Sequence, residues 1–270
     1  MIDLPLVSVI VPCYNQGKFI LDAITSVFSS TYKKYEIIIV NDGSTDPYTN
    51  QLLRNLNQPG IKVIQTENNG PSEARNTGIK GSGGKYILPL DADDKISPEY
   101  LKEAVNILES NKNIKLVTCD VSAFGVTKGK ILLLDYSLEN LLCQNTMVCS
   151  SMFRRVDYDK TKGFDIKMKT GLEDWDFWLS LLCDGGDVYK IQKIHFYYRI
   201  KKNSRNADLE KNKEKLKEMR YQIYLNHKEL YSKHFFDPTK SFEYATIQNS
   251  REYKVGKIIM KLLDPFCKLL

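Results

Sequence analysis

Two pairs of acidic residues in the sequence are spaced for metal binding and for proton transfer. Asp91 and Asp93 flank the small residue Ala92 directly after an apolar run. Mg²⁺ and Mn²⁺ prefer oxygen ligands and often bind through one or two carboxylates together with substrate phosphates. A simple turn also explains them, but a third acid, Asp94, adds repulsion that a bound cation would relieve. We therefore take Asp91 and Asp93 as candidate metal ligands.

The second pair is Glu173 and Asp174, at the predicted start of a helix over 172–184. Carboxylates are stabilised at a helix N-terminus by the helix dipole, and this alone accounts for the pair. The functional alternative is a general base that takes a proton from an attacking hydroxyl. The same dipole would keep that base ionised near neutral pH.

Side chains suited to a nucleotide follow other apolar runs. Asp42, in N-D-G-S-T-D, can cap the next helix or accept hydrogen bonds from a nucleobase. Tyr14 offers a ring for stacking on that base. Arg75 and Asn76 offer donors for a phosphate or sugar, although a surface salt bridge also explains Arg75. Neither a P-loop nor a G-x-G-x-x-G pattern after the first strand is present.

An alternation of strands and helices positions these residues. Predicted strands cover 7–11, 35–40, 61–66, 86–90, 116–123 and 187–200, and predicted helices cover 17–29, 49–57, 71–80, 98–110 and 172–184. Such alternation with short connections is typical of an α/β protein, with a mostly parallel sheet and helices on both faces. Ligands bind at the carboxyl ends of the strands in these sheets. The polar clusters described above follow strand ends, as does Asn15.

Seven short motifs in chain order resemble those of the family 2 glycosyltransferases, which have the GT-A fold. They are V-S-V-I-V-P-C-Y-N at 7–15, V-N-D-G-S-T-D at 40–46, A-R-N-T-G at 74–78, L-D-A-D-D at 90–94, G-F-D at 163–165, G-L-E-D-W-D-F-W-L at 171–179 and Y-Y-R at 197–199. Each motif is weak alone, but seven in this order form a strong resemblance.

The resemblance implies which residues bind the nucleotide-sugar donor. Pro12, Tyr14 and Asp42 would line the nucleobase pocket. Asp42 would recognise the base, uracil or another. Arg75 would lie beside the nucleotide. The full set of expected nucleotide- or donor-binding residues is Pro12, Tyr14, Asn15, Asp42, Arg75, Asn76, Asp91 and Arg199.

The resemblance also implies a reaction. Asp93, together with Asp91, would ligate a divalent cation, Mn²⁺ or Mg²⁺, and Asp91 would contact the ribose or donor sugar. Asp174 would be the catalytic base, with Glu173 supporting it or contacting the acceptor. Family members invert the anomeric centre and use nucleotide-diphosphate sugars. We expect transfer from such a donor, with UDP-sugars favoured, to a glycan or lipid-linked acceptor in polysaccharide biosynthesis.

Two other classes of function share the α/β layout. A catalytically inactive nucleotide-sugar or glycan-binding module of the same fold would have no use for a base, so the retained Glu173 and Asp174 argue against it. A nucleotidyltransferase would need a phosphate loop rich in Gly, Arg and Lys after the first strand. The segment P-C-Y-N-Q-G at 12–17 does not supply that loop.

One segment departs from the family pattern. Relatives often carry a His a few residues after Y-R, whereas Lys201 and Lys202 stand there in this chain. A charged Lys does not ligate a metal, so the resemblance carries no metal ligand over to this segment. A basic contact with the donor diphosphate from Arg199, Lys202 or Arg205 remains consistent with the charge of that group.

Composition and charge limit the classes of protein to which this chain can belong. Hydrophobic residues make up 42% of the 270 residues and charged residues 27%, which excludes a disordered or collagen-like chain. The six cysteines lack metal-type spacing and are expected to be reduced. No signal peptide or membrane span is expected, because the apolar run at 4–11 is short. We expect a cytoplasmic protein, with peripheral attachment to the inner face of a membrane left open.

The positive charge is concentrated near the C-terminus. Residues 186–270 contain 19 basic and 10 acidic residues, although the whole chain has a net charge of only +6. We expect a GT-A catalytic domain at 1–205 and a helical, basic extension at 206–270. An amphipathic helix is expected within 208–233, and another within 254–270 would be shortened by Pro265. The latter either packs on the protein or lies on an anionic membrane; nucleic acid is not an expected partner.

Overall fold

A single mixed sheet forms the centre of the protein. The computed structural model describes residues 4–201, 209, 212–234 and 242–267. Within them the sheet has nine strands. The strands are β1 (Val7–Cys13), β2 (Tyr35–Asp42), β3 (Ile61–Thr66), β4 (Tyr86–Pro89), β5 (Lys95–Ile96), β6 (Ile114–Gly125), β7 (Gly129–Ile131), β8 (Met152–Arg154) and β9 (Asp187–Ile200).

The strand order brings the ends of β1, β2 and β4 together. The order is β3-β2-β1-β4-β8-β6-β9-β5, and β7 pairs with β6 outside this path. The first four strands in this order are parallel, whereas β8 is antiparallel to both of its neighbours. Because parallel strands share one carboxyl edge, the loops that follow β1, β2 and β4 meet at that edge.

Helices cover both faces of the sheet. They are α1 (Ile20–Phe28), α2 (Pro47–Asn55), α3 (Pro71–Lys80), α4 (Tyr100–Ser110), α5 (Leu138–Cys143), α6 (Arg155–Tyr158), α7 (Glu173–Leu182), α8 (Lys213–Asn226), α9 (Lys228–His234), α10 (Phe242–Asn249) and α11 (Arg251–Cys267). The predicted α/β alternation is confirmed. The stretch 124–170, which gave no regular pattern in the sequence, contains the short elements β7, α5, β8 and α6.

Two hydrophobic clusters lie on opposite faces of the sheet. Val9 and Val11 of β1 belong to one cluster with α1 and α4, and Ile10 belongs to the other with α3 and α7. Both faces of β1 are therefore buried, which explains why its sequence is a continuous apolar run. A Cβ on Gly78 of α3 would lie 2.5 Å from Cγ2 of Ile10, so only glycine permits this close approach.

The first part of the predicted extension packs on the catalytic core. Ile223 of α8 and Leu230 of α9 are buried in the same cluster as α7. His227 Nε2 lies 3.0 Å from Oδ1 of Asp176 on α7, and Asn226 Nδ2 donates to the same oxygen at 2.9 Å. The predicted boundary between 205 and 206 falls outside the described residues, so the division into two domains remains a prediction.

The last helix runs further than the sequence suggested. Helix α11 extends to Cys267, so the expectation that Pro265 shortens it is wrong. Proline lacks a backbone N–H and so removes one hydrogen bond of the helix. Close to the end of the helix this loss affects few of its hydrogen bonds. Among the described residues, no helix combines the length and apolar character needed to span a membrane. The described cysteine side chains are free thiols.

Candidate active site

A cleft of about 370 Å³ opens at the carboxyl edge of β1, β2 and β4. Most of the residues that the sequence nominated for donor or metal binding line it. These are Pro12, Tyr14, Asp42, Arg75, Asp91, Asp93 and Arg199. Lys169 and Lys201 also line the cleft. The fold therefore brings together side chains from residues 12 to 201, as expected for a site at the edge of a parallel sheet.

The carboxylate of Asp42 organises the loop before α3. Its two oxygens accept hydrogen bonds from the backbone N–H groups of Asn69 (2.9 Å) and Gly70 (3.0 Å). Asp46, and not Asp42, caps α2 by accepting from the backbone N–H of Thr49 at 2.9 Å. A carboxylate has about four acceptor positions, so Asp42 retains capacity to accept from a nucleobase N–H. Asp42 is 4% exposed.

Two of the nominated residues are occupied in holding loops together. The Oδ1 atom of Asn15 accepts from the backbone N–H groups of Thr45 and Asp46, both at 2.8 Å. The Asn76 side chain donates to the carbonyl of Phe164 at 2.8 Å and accepts from its N–H at 2.9 Å. Neither asparagine lines the cleft described above. By contrast, the Tyr14 side chain is exposed at the mouth of the cleft.

The guanidinium of Arg75 joins the two acidic motifs. Its Nη2 lies 2.6 Å from Oδ1 of Asp91, and its Nη1 lies 2.8 Å from Oε1 of Glu173. Arg75 is 1% exposed and Glu173 is 2% exposed, so this ion pair is buried. Arg75 also packs over the ring of Phe164. The surface salt bridge that the sequence left open for Arg75 is thus replaced by a two-sided contact of a buried guanidinium, with Glu173 buried and Asp91 34% exposed.

Asp174 lies next to this ion-pair network and has an unusual environment. Burial raises the pKa of its carboxyl group to about 6, and the neighbouring charge of Glu173 acts in the same direction. The charge of Arg75 and hydrogen bonds from the backbone of Trp175 and from Asn145 Nδ2 oppose this rise. The Asn145 Nδ2 to Asp174 Oδ2 distance is 2.9 Å. A carboxyl group with this pKa is suited to accept a proton near neutral pH.

The backbone conformation of Leu172, just before α7, sets the position of Glu173 and Asp174. Leu172 has a φ of 63° and a ψ of 14°, in the left-handed region that residues other than glycine rarely adopt. The chain turns there so that Glu173 and Asp174 both enter the first turn of α7. Such a conformation costs roughly 1 kcal/mol or more, and it persists only where the surroundings enforce it.

Asp91 and Asp93 are each held by a basic side chain. Asp91 contacts Arg75 as described, and Lys201 Nζ lies 2.5 Å from Oδ2 of Asp93. Burial raises the pKa of Asp94 well above its usual value, helped by the charges of Asp93 and Asp91. The backbone N–H of Arg199 donates to Asp94 Oδ1 at 2.7 Å. Asp91 and Asp93 are therefore each paired with a basic side chain, whereas Asp94 accepts a hydrogen bond from a backbone N–H.

The donor atoms in the cleft fit a divalent cation in part. Asp91 and Asp93 offer the hard oxygen ligands that Mg²⁺ and Mn²⁺ prefer. In the part of the chain that the structure describes, no three side chains of metal-ligating type come together. The protein would therefore hold such a cation through these two carboxylates, and substrate phosphates or water would complete the coordination.

Arg199 is fixed by contacts that the sequence did not predict. Its Nε donates to the carbonyl of Asp93 at 2.7 Å, and its Nη2 lies 2.5 Å from Oδ2 of Asp22 on α1. The guanidinium also packs over the rings of Phe19 and Phe124. It therefore connects β9 and α1 to the loop that carries Asp93. The predicted contacts of Lys202 and Arg205 lie outside the described residues.

Lys169 is a cleft residue that the sequence analysis missed. It is exposed and lies in the segment between the G-F-D motif and α7. No motif contains it, and a single lysine in an irregular segment carries no pattern. Only the fold shows that this segment passes the cleft.

Comparison with known proteins shows the family to which the chain belongs. Residues 8–165 match the model of the family described as glycosyl transferase family 2. The chain belongs to this family. An uncharacterized glycosyltransferase of Rickettsia prowazekii is 30% identical over 214 residues, which are 74% of this chain and 64% of that protein. The chondroitin synthase of Escherichia coli is 29% identical over 199 residues, 70% of this chain and 28% of the synthase.

These similarities cover limited parts of the relatives. The chain spans less than two thirds of the length of the curated relatives named above.

Among solved structures, S. aureus TarS 1–349 in complex with UDP-GlcNAc matches with a TM-score of 0.66 at 20% identity, over 92% of this chain and 77% of TarS. The complex of TarS with UDP matches with a TM-score of 0.64 at 21% identity, over 92% of this chain and 76% of TarS. The expected GT-A fold of this family 2 chain is confirmed.

The buried ion pair yields a stability prediction. We expect Arg75→Met to lower the free energy of unfolding by about 3–5 kcal/mol, because it leaves the buried Glu173 carboxylate without its cation. Urea unfolding monitored by circular dichroism measures this change. Arg54→Met is the matched control, because Arg54 is exposed on α2 and should cost less than about 0.5 kcal/mol. Equal effects of the two substitutions would contradict the prediction.

Proposed function

We propose that this chain is an inverting, metal-dependent glycosyltransferase. It would transfer a sugar from a nucleotide-diphosphate donor, with UDP-sugars favoured, to a glycan or lipid-linked acceptor in polysaccharide biosynthesis. The observation that carries the proposal is the Arg75 guanidinium, which connects the donor cleft at Asp91 to the acidic pair at Glu173 and Asp174. The complex of TarS with UDP-GlcNAc and the name of the chondroitin synthase support a UDP-sugar donor.

The donor would occupy the cleft with its base near β1 and β2. Tyr14 offers an exposed ring for stacking, and Asp42 has free acceptor capacity for a base N–H. Pro12 also lines the cleft. Asp93 and Asp91 would hold the divalent cation, which supplies positive charge to stabilise the diphosphate leaving group.

The acceptor would be activated by Asp174. Its carboxylate takes the proton from the acceptor hydroxyl while the hydroxyl oxygen forms a bond with the anomeric carbon of the donor sugar. The bond from that carbon to the diphosphate oxygen breaks at the same time, and the nucleoside diphosphate leaves with the electron pair. Attack from the face opposite the leaving group inverts the anomeric centre. Glu173 is held by Arg75 and would keep the start of α7 in position.

The C-terminal helix supports a proposal on location. In α11 the side chains of Ile258, Ile259 and Met260 are about half exposed or more, and Lys254 and Lys257 are exposed beside them. Apolar and basic side chains on one exposed helix suit the headgroup region of an anionic membrane. We propose a cytoplasmic protein that attaches peripherally through this helix.

Donor transfer tests the proposed function. Incubation with Mn²⁺ and a panel of nucleotide sugars, followed by mass spectrometry, should show transfer or donor hydrolysis. Asp174→Asn should leave donor binding intact and lower turnover by about 10²-fold or more, because the general base is lost. Asp184→Asn, which changes an exposed acid just beyond α7, is the matched control and should retain turnover.

Two results would contradict this proposal at different points. Full turnover in Asp174→Asn would refute the assignment of the base. The absence of nucleotide binding in calorimetry, with and without metal, would refute the transferase itself. Donor binding with no turnover in the unchanged protein would favour the inactive binding module.

The pKa of Asp174 predicts the pH dependence of turnover. Since the pKa is raised to about 6, the carboxyl is protonated and inactive at lower pH, and turnover should rise with pH and level off above that value. Asn145→Ala removes a hydrogen bond that favours the charged form, so its profile should shift to higher pH. Initial rates from pH 5 to pH 8 measure both profiles. A flat profile in the unchanged protein would contradict the role of Asp174.

Membrane attachment predicts a composition-dependent interaction. The protein should co-sediment with vesicles that contain anionic lipid and should not co-sediment with neutral vesicles. Ile258→Ser together with Ile259→Ser should weaken the interaction, because buried apolar area drives insertion. Leu132→Ser, at a highly exposed apolar residue outside α11, is the matched control and should bind as the unchanged protein does. No binding to anionic vesicles would contradict the attachment.

A further inference from the structure

The ammonium group of Lys201 lies in a formed site against Asp93. Its Nζ is 2.5 Å from Asp93 Oδ2, and the two side chains are only 21% and 17% exposed. Nζ also lies 3.5 Å from Oε1 of Gln16 and 5.5 Å from the centre of the Phe19 ring. A carboxylate, an amide oxygen and an aromatic face thus surround one cation. These partners are the ones that stabilise an ammonium group.

The same carboxylate is the proposed ligand of the divalent cation. Two positive charges about 4 Å apart repel each other strongly where water is partly excluded. Asp91 is already paired with Arg75, so it offers the incoming cation only part of its charge. Binding of a divalent cation at Asp93 therefore requires the Lys201 ammonium to leave its position.

We propose that Lys201 competes with the divalent cation for Asp93 and thereby sets the cation affinity of the site. The inference rests on the proposed function, in which Asp93 holds that cation. Lys201 lines the donor cleft, so the displaced ammonium remains close to where a diphosphate would lie. A diphosphate is an anionic partner for this ammonium group. Cation binding is consequently weak in the free protein and strengthened by the donor.

Binding of Mn²⁺ alone tests the competition without any enzymatic reaction. The electron paramagnetic resonance signal of free Mn²⁺ falls as the ion binds, and titration gives the dissociation constant in the absence of nucleotide. Lys201→Met removes the ammonium group and should tighten Mn²⁺ binding by about threefold or more, the weight of a partly exposed ion pair. Lys201→Gln is a second neutral variant with the same expected result. Lys201→Arg keeps the charge and should bind Mn²⁺ as weakly as the unchanged protein.

Two further variants locate the effect. Lys193→Met is the matched control, because Lys193 is an exposed lysine paired with Glu103 at 2.8 Å, and it should leave the Mn²⁺ affinity unchanged. Lys201→Met should not tighten Mn²⁺ binding when it is added to Asp93→Asn, because the carboxylate for which the two cations compete is lost. If Lys201→Met and Lys201→Gln bind Mn²⁺ no more tightly than the unchanged protein, the competition is refuted. A gain that persists with Asp93→Asn refutes it as well.

The Mn²⁺-binding experiment and the sugar-transfer experiment can fail independently of each other. Tighter Mn²⁺ binding in the Lys201 variants of a protein that binds no nucleotide sugar would uphold the competition and refute the transferase. Nucleotide-sugar turnover by the unchanged protein, with no change in Mn²⁺ affinity in the variants, would refute the competition alone.

Discussion

The structure of the site depends on one buried guanidinium with two carboxylate partners. Arg75 comes from α3, Asp91 follows β4 and Glu173 begins α7, so three separate elements meet at one side chain. A buried charge is tolerated only when it is paired, and here both partners are charged. The contact requires α3 to lie close to the sheet, which Gly78 allows. The ion pairs thereby connect the cleft to the start of α7, where the proposed catalytic base lies.

Charge balance explains how so many acids share this small region. Arg75 forms ion pairs with both Asp91 and Glu173, and Lys201 forms one with Asp93. Burial and the charges of Asp93 and Asp91 raise the pKa of Asp94 well above its usual value. Asp174 lies beside Glu173, and burial together with the charge of Glu173 raises its pKa to about 6, in the range useful for proton transfer. The reactivity proposed for Asp174 thus depends chiefly on its burial, with the charges of Glu173 and Arg75 acting in opposite directions.

The sequence predicted the framework well because strong local patterns define it. Continuous apolar runs marked β1 and β2, and the motifs marked the residues that follow strand ends. The stretch 124–170 was not predicted because β7 and β8 have three residues each, too few to show a period. The loop-holding contacts of Asn15 and Asn76 were also missed. Their partners lie 30 or more positions away, and no local pattern reports such contacts.

The role of the basic residues likewise required the fold. Arg75 and Glu173 are 98 positions apart, and the sequence offered for Arg75 only a nucleotide contact or a surface salt bridge. Lys201 was recognised as a departure from the family pattern, but its pairing with Asp93 depends on β9 crossing beside the loop after β4. Lys169 belongs to no motif at all.

A double-mutant cycle between Arg75 and Glu173 tests the central constraint most directly. The unfolding free energies of the unchanged protein, Arg75→Met, Glu173→Gln and the double variant give the coupling energy of the pair. A buried ion pair that holds α3 to α7 predicts a coupling of about 2 kcal/mol or more, with the double variant less destabilised than the sum of the single variants. Additive effects within about 0.5 kcal/mol would show that the two side chains do not depend on each other, and would contradict this description of the site.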